Sequence, residues 1–111
     1  MTNDDQLDTA VRKLVGQVSH WTPPRWAASS PSGSGLSGPS RADLMHDLVQ
    51  WMADRCAEAE GRPPLPVPRL DNDLALPDQL QVVAADLRRF APLSVRQDAA
   101  ARIAAVRGAF A

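Results

Sequence analysis

Three side chains in this sequence have the chemistry to hold a soft metal or to serve as nucleophile or imidazole base: His20, His46 and Cys56. They are too few for an all-protein tetrahedral zinc site. His46 and Cys56 fall within one predicted helix, about 15 Å apart along its axis, so a single ion does not reach both. His46 lies on the polar face of that helix with Gln50 and Asp54, which reads as a solvated position. Asp71-Asn72-Asp73 has the acidic start of a calcium loop but neither its glycine nor its bidentate glutamate, and reads as an Asx turn. No metal and no cofactor are expected.

Covalent catalysis needs a nucleophile, a base and an orienting group that converge. Cys56 sits on an apolar stripe, where a thiol behaves as a small hydrophobe. The glycines of Gly33–Gly38 precede a helix without a strand or a lysine, so they form no phosphate loop. An acid–base carboxylate pair, the mark of a small enzyme, is not identifiable from the order of residues. The most unusual local chemistry is aromatic. In His20-Trp21-Thr22-Pro23-Pro24-Arg25-Trp26, two tryptophans flank a rigid Pro-Pro. They are expected to fold back and roof the core beside Trp51. The alternative is a partner anchor of Trp21, Arg25 and Trp26, because Trp and Arg are enriched at interface hot spots. Val82, off the apolar face of its helix, is a further candidate contact. Arg96 and Gln97 occupy positions from which a recognition helix would read bases, which makes a DNA-binding regulator, with the third and fourth predicted helices as its helix–turn–helix, the rival reading.

Composition narrows these readings. The chain has 111 residues, a net charge of −1 and one cysteine. One small domain is the ceiling, there is no global field for nucleic acid or anionic lipid, and an internal disulfide is impossible. Arginine supplies the basic residues with Lys13 the lone lysine, a bias that GC-rich codons produce and that points to a high-GC bacterium rather than to phosphate recognition. No apolar run approaches the roughly 20 residues of a membrane span. The acidic start, MTNDDQLD, is unlike a secretory leader, so a cytoplasmic protein is expected.

The elements that must position these side chains are helical. Leu7, Val11, Leu14, Val15 and Val18 recur at helical spacing and predict a first helix over about 3–19. Gly16 weakens it, and Thr22-Pro23-Pro24 stops it. Ala27–Ser40 is rich in Ser, Gly and Pro and reads as a flexible linker. The second helix, Arg41–Glu60, opens on a capping box of Ser40 with Asp43 and closes at Gly61 before Pro63-Pro64. Its apolar residues, from Leu44 to Ala59, cover an arc of about 160°, which makes it the centre of the core. Arg62–Leu70 is an extended spacer, with Leu65, Val67 and Leu70 covering apolar surface. A third helix over Pro77–Phe90 buries Leu80, Val83, Ala84, Leu87 and Phe90. A fourth starts at Ser94, capped with Gln97, and buries Val95, Ala99, Ile103, Val106 and Phe110.

The fold expected is all-α: a four-helix bundle in one domain, with a body over 41–111 whose last two helices form an antiparallel hairpin and a first helix docked across the linker. The function expected is that of a non-enzymatic interaction or accessory protein presenting helical surface to a second copy or to a protein partner. Narrow stripes on the first and last helices favour a homo-oligomer, closed as a dimer. Nucleic acid and membrane are disfavoured as partners.

Overall fold

The computed structural model describes residues 4–28, 39–69 and 72–110. Most of the expected linker (29–38) lies outside these residues, as do Asn3, Leu70 and Asp71. Among these residues five helices form: α1 (Asp4–Val18), α2 (Pro23–Ala27), α3 (Arg41–Glu60), α4 (Leu76–Phe90) and α5 (Leu93–Phe110). A 3₁₀ turn over Asp73–Ala75 leads into α4. The class is all-α, and four of the helices build the bundle.

The short α2 departs from the sequence expectation. Pro23 and Pro24 end α1, yet proline is tolerated in a first helical turn, so the same pair also opens a helix. The start of α5 differs as well. The Pro92 carbonyl accepts from Val95 and Arg96 N–H, both at 3.1 Å, and Ser94 lies inside the first turn rather than at its cap. The α3 termini follow the expected rules. Asp43 N–H donates to Ser40 Oγ at 3.0 Å, and Ser40 N–H donates back to Asp43 Oδ2 at 3.2 Å. Gly61 closes the helix at φ +71°, where a side chain would be strained.

Packing corrects the expected helix order. α4 lies against α3 and α1, and α5 lies against α1 and α3, while α4 and α5 barely touch. They are therefore not an antiparallel hairpin. Both diverge from the Ala91-Pro92 joint because each apolar stripe is satisfied by the other two helices. Leu76, Leu80, Val83, Ala84 and Leu87 are buried from α4, and Ala99, Ile103 and Phe110 from α5. These join Leu7, Leu14, Met45, Leu48 and Met52 in one core. Phe90, expected inside, is 45% exposed at the last residue of α4, while Leu87 before it and Ala91 after it are buried. Leu65 of the connector is likewise exposed, whereas Val67 is half-buried.

Trp21, Trp26 and Phe110 close one end of the bundle. Their rings meet edge to face, with centroids 4.8 Å apart for Trp21–Trp26 and 5.0 Å for Trp21–Phe110. Trp51, the expected partner, instead carries Arg55 and Arg102 over its ring at 5.4 and 4.4 Å. The Arg41 N–H donates to the Ala28 carbonyl at 2.9 Å, which brings the two ends of the expected linker together.

Candidate functional site: a groove beside helix α4

A proline-rich segment creates an unusual hydrogen-bonding problem. Pro63, Pro64, Pro66 and Pro68 have no N–H to offer, so the connector makes no ladder of its own. The polar face of α3 supplies the missing partners. Gln50 Oε1 accepts from the Val67 N–H at 2.7 Å, and Gln50 Nε2 donates to the Leu65 carbonyl at 3.1 Å and to Asp54 at 2.9 Å. One side-chain amide thus stands in for a neighbouring strand. His46 Nε2 lies 3.0 Å from the Val67 carbonyl, so His46 is a fastener and not merely the solvated side chain its helix position suggested. From α4, Gln79 Nε2 donates to the Pro68 carbonyl at 3.2 Å. Arg69 completes the attachment, reaching Asp43 at 2.9 Å and Asp73 at 3.6 Å. Its guanidinium hydrogen bond holds the Asp43 carboxyl below the usual carboxylate range.

The fastened connector forms one wall of a groove of about 410 Å³. Val49 of α3 and Val83 of α4 form the floor, Val67 one wall, and Ala75, Gln79 and Val82 the other. Asp78 and Asp86 stand on the rim. Neither carboxylate has an ion pair among the described residues. Gln79 Oε1 is buried with no hydrogen-bond partner among the described residues. Val82 is 66% exposed, a large apolar side chain held outward by its helix position.

The other residues singled out from the sequence are dispersed. Trp21 and Trp26 are buried at the end of the bundle, so their rings are core and only Arg25 of that trio is exposed. Arg25 stacks on Trp21 at 4.9 Å. Gln97 is exposed and Arg96 half-buried in the first turn of α5. A helix–turn–helix requires its two helices to pack on one another, and α4 and α5 do not. The arginines also point to separate surfaces. Arg88 pairs with Asp8 of α1, Arg102 covers Trp51, and Arg107 reaches Gln17 at 3.4 Å. Cys56 is buried with its thiol 3.6 Å from the Val83 carbonyl, and burial pushes its pKa up to about 11. Among the described residues no three His, Cys, Asp or Glu side chains converge as a metal site.

Of the residues lining or fastening this groove, Val82 was singled out from the sequence, and Gln50, Gln79, Asp78 and Asp86 were not. A signal for Gln50 was present: an extended run of prolines must find donors and acceptors, and the nearest polar stripe is His46, Gln50 and Asp54. Among the described residues no helix is long and apolar enough to cross a membrane. No family model matches the chain, and neither the curated proteins nor the solved structures contain a match to it.

Proposed function

We propose that this protein is a non-enzymatic interaction module whose working surface is the groove between the connector and α4. The observation that carries the reading is the combination of an exposed Val82 and an apolar floor with two rim carboxylates that have no counter-ion among the described residues. An apolar side chain entering the groove would be held by burial, and basic side chains flanking it would meet Asp78 and Asp86. The partner chemistry that fits is a protein segment with an apolar residue between arginines or lysines. The elaborate fastening of the connector serves this surface by holding one wall in place before the partner arrives, which lowers the ordering cost of binding.

The test uses the intact chain and its Val82→Glu variant as baits in extract of the native host. Any protein retained by the parent is then purified and titrated into ¹⁵N-labelled chain. The reading expects amide shifts clustered at Val67, Gln79, Val82 and Val83, and an affinity at least about 30-fold weaker for Val82→Glu. Shifts centred elsewhere, or equal affinity for both baits, would sink it.

A further inference from the structure

The large apolar side chains exposed among the described residues are Leu65, Leu74, Val82, Phe90 and Leu93. All but Leu65 lie on α4 or within two or three residues of its ends. Along the same helix the charges are segregated. Asp78 lies in the first turn, and Arg88 and Arg89 in the last. Arg88 is engaged by Asp8, which leaves Arg89, whose guanidinium lies 5.3 Å from the Phe90 ring. The C-terminal end of α4 is therefore a basic-flanked apolar protrusion, and its N-terminal half borders an acid-rimmed apolar groove. At 1.5 Å per residue the two are about 12 Å apart, measured from Val82 to Phe90. Val82 and Arg89 lie within about 20° of one another around the helix, and Phe90 within about 80° of Val82, so one packed face can include all three.

Resting on the interaction reading above, we propose that the segment this groove receives is the end of α4 from a second copy of the same chain. An antiparallel pairing of two α4 helices about a twofold axis near residues 83–84 places Asp78 opposite the partner's Arg89. The same operation puts the two Val82 side chains on either side of the axis. Because the contact is isologous, each favourable pairing occurs twice. A parallel pairing would bring Asp78 against the partner's Asp78 and Arg89 against the partner's Arg89, so charge selects the antiparallel arrangement.

Sedimentation velocity or light scattering over about 5–200 µM, in low salt, tests this. The parent should run at twice the 12.0 kDa chain mass at the upper end. Val82→Glu should run at the single-chain mass with an unchanged far-ultraviolet spectrum, the side chain being exposed. Asp78→Arg and Arg89→Asp should each weaken association about tenfold or more, and the double variant should regain most of it, because the reversed charges again face each other. A parent that stays at 12.0 kDa throughout, or charge reversals that are additive rather than compensating, would overturn the proposal. If the parent is monomeric yet a heterologous partner still shifts Val67 and Val82, the second copy is the wrong occupant and the interaction reading stands. If Val82→Glu alters no association of either kind, both fall.

Discussion

Replacing Gln50 with alanine removes the side-chain amide that substitutes for a strand beside the connector. Its bond with the Val67 N–H is short, at 2.7 Å, and half-buried, so water does not fully replace it; about 1 kcal/mol is lost there. The bond to the Leu65 carbonyl is exposed and contributes about 0.5 kcal/mol at most. The Asp54 contact, at i,i+4 on the helix, adds about 0.3 kcal/mol. The expected loss is about 1.5–2 kcal/mol, or about 6–8 °C in melting temperature for a chain of this size. Chemical denaturation monitored by circular dichroism measures the total, and amide exchange at Val67 localises it. Gln50→Glu is the informative control: it keeps an acceptor for Val67, so that amide should stay protected while overall stability falls through the lost donations and the like-charged Asp54. A Gln50→Ala variant within about 0.5 kcal/mol of the parent, with Val67 exchange unchanged, would refute the view that this amide holds the groove wall.

Further outcomes follow from single sites. Cys56 should resist alkylation at pH 8 in the native protein and react freely in denaturant, because burial raises its thiol pKa to about 11. Since that folded value lies above the ordinary 9.0, its stabilising contribution is complete below pH 9 and declines as pH rises towards about 11; Cys56→Ala should lack that part of the alkaline loss in pH-dependent denaturation. Gly16→Ala should stabilise by about 0.5–1 kcal/mol, since the added Cβ meets open space in a helix interior, whereas Gly61→Ala should cost about 1 kcal/mol at its positive φ. Met52→Ala, fully buried in mid-α3, should cost about 2–5 kcal/mol in the same denaturation assay.

What the sequence determined by itself was local. The apolar period of Leu7 to Val18, the Ser40–Asp43 box and the Gly61 stop each depend on residues within a few positions of one another. Helix identities and most buried faces were accordingly legible, including the outward Val82. The closing of Trp21 and Trp26 over the core was legible too, though their ring partner proved to be Phe110.

Only the tertiary structure decided what crosses those faces. The polar stripe of α3 is identical in pattern to a solvated one, and it became a fastener because the connector passes over it with unpaired carbonyls. α4 and α5 separate because burial against α1 and α3 satisfies both stripes, a choice that a two-residue joint leaves open. Phe90 has the spacing of a core residue but is left exposed at the last residue of α4, and Asp78 and Asp86 became a rim only once Val67 was placed opposite them. Periodicity states which side of a helix must be covered; what covers it, and which exposed side chains then share a surface, depends on contacts between residues distant in the chain.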